Sequence, residues 1–189
     1  MRSANWRQYV RLICPLLLLA ISAGQLQSQE RLNILARARG TSAQSGQLVE
    51  IRIIIEQFST REDQKALVDA FTRSGQTGLR DALEKMSAKG RISRIGSVGN
   101  DIKYIFEVPS TKGRHFRLLT DRNLAFGELY TGTRSSDYDV GGAELILTPD
   151  GKGSGTLLPA CRLKLNKKKE IEMETFQNPW NLTNLVVSK

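Results

Sequence analysis

Apolar and polar residues alternate with a period of two along much of this chain, most cleanly in LVEIRIIIEQF (Leu48 to Phe58), where Val49, Ile51, Ile53 and Ile55 stand against Glu50, Arg52 and Glu56. β-Branched side chains dominate that run, which predicts a strand with one face buried. The period then changes. Ser59-Thr60-Arg61-Glu62 matches a helix capping box, and Ala66, Leu67, Ala70 and Phe71 fall on one helical face. After an interruption at Ser74-Gly75-Gln76, Leu79, Ala82, Leu83 and Met86 repeat the helical spacing as far as Lys89-Gly90. These two stretches are expected to form a helical hairpin inserted after the first strand, with one kinked helix as the alternative.

Past Gly90 the period of two returns. Ile102, Tyr104, Phe106 and Val108 read as one face of a strand, and a turn at Pro109 to Gly113 leads to its partner, Arg114 to Thr120. Ala143, Leu145 and Leu147 mark another strand, which Thr148-Pro149-Asp150-Gly151 turns back into Thr156 to Leu165. Ile171, Met173 and Thr175 follow, and Asn181 to Val187 is expected to pair as the closing strand. Strict alternation also predicts a register. Pairing Leu165 with Ile171 leaves Asn166 to Glu170 as the loop and sets Lys164 opposite Glu172 and Arg162 opposite Glu174. The expected fold class is α+β: an antiparallel β-meander of about seven or eight strands, a curled sheet or partial barrel, carrying the helical hairpin.

The N-terminus changes the picture from fold to destination. Arg2, Arg7 and Arg11 precede an apolar run from Leu12 to Ala23 that closes on Ser22, Ala23 and Gly24. About twelve residues is well short of the roughly 20 that a spanning helix needs, so residues 1–23 read as a secretory signal peptide. Residues 24–47, rich in Gln, Ser, Ala and Arg, read as a polar tether. Residues 48–189 are expected to make a single domain. The chain is therefore expected to be exported, periplasmic or extracellular, with no stable membrane span after cleavage.

Charge and composition narrow the chemistry. The 28 basic residues fall to 25 when the three signal arginines are removed, against 19 acidic ones. That excess favours anionic surfaces, but Lys167-Lys168-Lys169 is the only tight cluster, and nucleic-acid binding is not expected. The one histidine, His115, falls on the parity of Arg117 and Leu119 and is expected to face solvent. Cys161 shares the parity of Leu163 and Leu165 and reads as a small buried hydrophobe. No zinc spacing and no nucleophile elbow are present, so no cofactor is expected. Asp150 to Gly155 has the glycines of a phosphate loop but lies between strands, and reads as a hairpin turn.

The candidate site is the long polar stretch FGELYTGTRSSDYDVGG, Phe126 to Gly142. Glu128, Asp137 and Asp139 offer carboxylates, Arg134 offers a planar five-donor fork, and Tyr130 and Tyr138 offer faces for a polar ligand. The simplest structural alternative has Arg134 pairing with Asp137 or Asp139 to stiffen the loop. Three segments, RISRIGSVGNDIKYIF, LLTDRNLAFGELYTGTRSSDYDVGGAELILTPDGKGSGTLLPA and NPWNLTN, resemble a family of uncharacterised exported bacterial proteins. The resemblance implies a bacterial, extracytoplasmic setting and carries no activity. The expectation from sequence is an exported soluble binding or interaction module of the cell envelope, its partner an envelope component or small polar ligand. A carboxylate-dependent hydrolase centred on residues 126–142 is the alternative.

Overall fold

A computed structural model of the chain describes residues 31–41, 44–124, 139–174 and 179–188. Those residues form nine strands and one helix, in the order β1 (Leu32–Arg39), β2 (Leu48–Ile55), α1 (Arg61–Lys85), β3 (Gly90–Arg94), β4 (Asn100–Val108), β5 (Arg114–Thr120), β6 (Val140–Leu147), β7 (Lys152–Leu165), β8 (Ile171–Glu174) and β9 (Trp180–Ser188). All pairings are antiparallel. The order β6-β5-β4-β3-β2-β1-β9-β7 closes on itself through β6 and β7, which makes an eight-stranded barrel with β8 appended to the far half of β7. Closure leaves no open edge on the barrel itself. The described residues are mostly β with a single helix.

Two departures from the sequence reading matter here. Leu32 to Arg39, read as part of a tether, is a strand lying between β2 and β9. Its inward positions, Leu32, Ile34, Ala36 and Ala38, are all buried. Two of them are alanines, too weakly apolar to announce the alternation. The helical hairpin does not form, and the helix follows the second strand of the chain. At Ser74 and Gly75 the backbone leaves helical geometry, Gly75 with φ of 58°, and the helix bends there instead of reversing. Its cap also lies one residue on from the expected box. Thr60 accepts from Asp63 N–H at 3.1 Å while Asp63 accepts from Thr60 N–H at 2.9 Å. Ser59 is drawn off to β4, where its hydroxyl accepts from Ile105 N–H at 3.0 Å and its own N–H donates to the Ile105 carbonyl at 2.8 Å.

Two apolar layers lie on opposite faces of the sheet. The barrel interior is filled by Ile34, Ile51, Ile53, Ile55, Ile92, Phe116, Leu145, Trp180 and their neighbours. Outside the barrel, α1 and β8 cover a second layer containing Leu67, Leu79, Leu83, Tyr104, Leu119, Leu163 and Met173. Tyr104 reaches this outer layer because the β4–β5 register shifts between Ile102 and Tyr104. The bulge inverts parity: Ile102 and Ile105 point in, while Tyr104 and Phe106 point out under the helix. Farther along, the β7–β8 ladder has the predicted register, Leu165 with Ile171, Lys164 with Glu172 and Arg162 with Glu174.

Candidate functional site

Up-and-down strands give the barrel two ends with different connections. One end carries the β1–β2, β3–β4 and β5–β6 loops and the start of β9; the other carries the β4–β5 and β6–β7 turns, the start of β1 and the helix junctions. The predicted site lies in the chain between β5 and β6, whose facing ends belong to the first end. Of its residues, Glu128, Tyr130, Arg134, Asp137 and Tyr138 lie outside the described residues. Asp139 is described, and its carboxylate lies 3.0 Å from Arg80 Nη1 on α1. The sequence points to Arg134 as its partner, whereas the structure supplies Arg80, a helix residue remote in the chain.

The stem of that connection is tightly knit. Gly141 N–H donates to Thr120 Oγ1 at 3.0 Å, Leu124 N–H donates to the Pro159 carbonyl at 2.8 Å, and Leu124 itself is fully buried. Gly141 and Gly142 leave room for neighbours that a Cβ would strike, Leu124 for the first and Met173 for the second. Trp180 closes the same end from within. Its ring is fully buried and its indole N–H donates to Gln44 Oε1 at 2.6 Å.

The other end is open. A cavity of about 1200 Å³ is bounded by the β4–β5 turn (Pro109 to Gly113), the β6–β7 turn (Thr148 to Gly151), Leu32, Leu147 and Val187. Its apolar wall comes from strand ends that continue the barrel interior. Arg114 supplies the polar element: its guanidinium carbon lies 4.9 Å from the Phe116 ring centroid and 5.8 Å from that of Phe58, with the two rings stacked at 5.6 Å. The same guanidinium meets Glu107 with Nε at 3.1 Å and Nη2 at 3.3 Å. Across the opening, the Thr148 hydroxyl donates to Asp150. That hydrogen bond, with the Lys152 N–H and the Lys152 charge, holds the Asp150 carboxyl below its ordinary range. Gly113, at φ of 128°, keeps the β4–β5 turn against the Leu147 carbonyl, where a Cβ would not fit. The turn residues looked in sequence like ordinary hairpin punctuation. The only signal that could have marked them was the pair of turn prolines, Pro109 and Pro149.

Cys161, Tyr104 and His115 are held in structural settings. Burial pushes the Cys161 thiol up to about 12, so it stays protonated near neutrality. Burial likewise raises the Tyr104 hydroxyl, an effect that nearby Arg117 only partly offsets. His115 has the outward parity expected of it, yet its side chain is only 18 % exposed, with Nε2 at 3.6 Å from Glu144. Glu144 is already held by Arg117 at 2.9 Å, and Arg117 also donates to the Ile171 carbonyl of β8. That network ties β8 to the outer face of β5 and β6. Among the described residues, no group of three or more His, Cys, Asp or Glu is placed to hold a metal ion, and no helix is long and apolar enough to cross a membrane. No family model, curated protein or solved structure matches the chain, so the resemblance noted in three of its segments gains no support from these comparisons.

Proposed function

We propose that the protein is an exported binding module that takes a small ligand, with an apolar body and a polar end, at the open mouth of its barrel. The observation that carries this reading is the cavity at that mouth, walled by Leu32, Leu147 and Val187 and bordered by Arg114 and Lys112. Mouths of β-barrels are common ligand sites, and a mainly apolar lining with a few placed polar groups is the usual composition of one. Export is supported by the basic, apolar and small-residue succession of residues 1–23. The moderate basic excess suits an anionic envelope component.

Thr111 is exposed on the rim and makes a suitable place to obstruct the mouth without touching the core. Native mass spectrometry of the chain purified from the cells that export it should show a small molecule retained by the parent. Thr111→Trp should lower its occupancy severalfold with no change in melting temperature. Equal retention by both proteins, or none by the parent, sinks the reading. Turnover of an ester or glycan that Asp139→Asn abolishes would move function to the carboxylates of residues 126–142 and favour the hydrolase alternative.

A further inference from the structure

Four large apolar side chains stand out as exposed among the described residues, and three of them lie at the same end of the barrel, on β2, just past β3 and on the β3–β4 turn: Leu48 at 55 %, Ile95 at 47 % and Val98 at 78 %. Leu48 opposes Arg39 at the end of the β1–β2 ladder. Ile95 donates its N–H to the Glu50 carbonyl at 3.0 Å, which puts it on the outward face one pleat from Leu48. Val98 projects from the β3–β4 turn, which Gly96 (φ 85°) and Gly99 (φ 75°) shape and which Arg91 fastens by donating to the Val98 carbonyl at 3.2 Å. A soluble surface tolerates single exposed apolar residues. Three grouped at a projecting corner mark a contact.

The charge around them has one sign in excess. Arg37, Arg39, Arg52 and Arg91 lie on the outward face of β1 to β3, and Arg94 sits at the rim beside Ile95. The acids of that face are Glu50 and Asp101, already paired with Arg37 at 3.4 Å and with Arg91 at 2.8 Å. Arg39, Arg52 and Arg94 are exposed and, among the described residues, have no carboxylate within ion-pair distance. This face lies away from α1 and β8, which cover the outer layer over β4 and β5.

We propose that this corner docks the protein on a membrane containing anionic phospholipid, with Leu48, Ile95 and Val98 entering the boundary between headgroups and acyl chains and Arg39, Arg52 and Arg94 taking the phosphates. An interfacial surface needs both elements together, apolar tips for depth and cations for the headgroups. A soluble polyanion would use the arginines and leave the apolar tips in water. A second copy of this chain would cover the tips but bring two arginine-rich faces together. Guanidinium forks suit phosphate, and their stems lie along apolar surface.

The test is co-sedimentation of the full chain with vesicles of phosphatidylcholine alone and with about a third phosphatidylglycerol. The parent should prefer the anionic vesicles. R39Q/R52Q/R94Q should lose about a hundredfold of that affinity, from roughly fivefold per arginine, whereas R39K/R52K/R94K should keep most of it. I95D/V98D should also release the protein, with an unchanged melting temperature because both positions are exposed. Equal binding of the parent to the two kinds of vesicle overturns the proposal, as does a glutamine variant that keeps the anionic preference. Loss of heparin binding in that variant, without any vesicle binding by the parent, assigns the face to a soluble polyanion and also overturns it.

Discussion

The two ends of the barrel are built by different means. At one, Trp180 fills the axis from within and its single polar atom is satisfied by Gln44, while Thr41 donates to the Pro179 carbonyl at 2.6 Å to fix the approach to β9. At the other, polar junctions hold the ends of the strands and the axis stays open above the Arg114, Phe116 and Phe58 stack. There, Lys89 Nζ lies 3.2 Å from Asp63 with only 7 % of its side chain exposed, and the Lys89 carbonyl accepts from both Glu56 and Gln57. An apolar plug excludes water and ligand together, because filling the axis leaves no volume for either. Polar junctions fix the rim without filling it. The end that can admit a ligand is therefore the one stabilised around its circumference.

The largest effect expected from this contrast is at the plug. Trp180→Ala should cost about 3–5 kcal/mol, since the ring is fully buried and its site cannot collapse inside a closed sheet. Urea unfolding measures it, and a loss below about 1 kcal/mol would show that the axis is not sealed there. Next comes the polar junction. Asp63→Ala removes half of the α1 capping box and strips Lys89 of its counter-charge, for an expected loss of about 2–3 kcal/mol. Lys89→Met should recover part of that loss when added to it, because a buried cation without a partner costs more than an apolar side chain. Absence of recovery would mean that the cap accounts for the whole effect.

The smallest effect lies on the open rim and depends on pH. Asp150 has its folded pKa lowered from 3.8, chiefly by the Thr148 hydroxyl. A depressed carboxylate contributes stability above its unfolded pKa and loses it as the pH falls through the folded value. Asp150→Asn should therefore melt slightly below the parent near neutral pH, and the gap should close below pH 3.8. A gap that persists into stronger acid would mean that the asparagine disturbs the turn itself.

Legibility in sequence followed the range of the interaction. The β7–β8 register could be predicted because parity and the two charge pairs act across a five-residue loop, Asn166 to Glu170, and the pairs Arg162–Glu174 and Lys164–Glu172 lie at 3.9 and 4.0 Å. The candidate site was harder. A long polar loop attracts notice by composition, whereas the mouth cavity is assembled from strand ends and two short turns that look unremarkable singly. Asp139 illustrates the difference, since its partner Arg80 belongs to a helix inserted between other strands.

By itself the sequence determined which segments alternate, where the helix begins within one residue, and how neighbouring strands at the C-terminal side pair. These are local consequences of side-chain period, capping and turn chemistry. Only the tertiary structure decided that Leu32 to Arg39 is a barrel strand, because its place depends on β9, with Arg37 aligned to Thr183. Tertiary packing also decided that Tyr104 and Phe106 turn outward at the β4 bulge. The physical reason is common to both. Closing a sheet into a barrel imposes register and curvature through partners distant in the chain, and those constraints outweigh local preferences that differ by little more than about 1 kcal/mol.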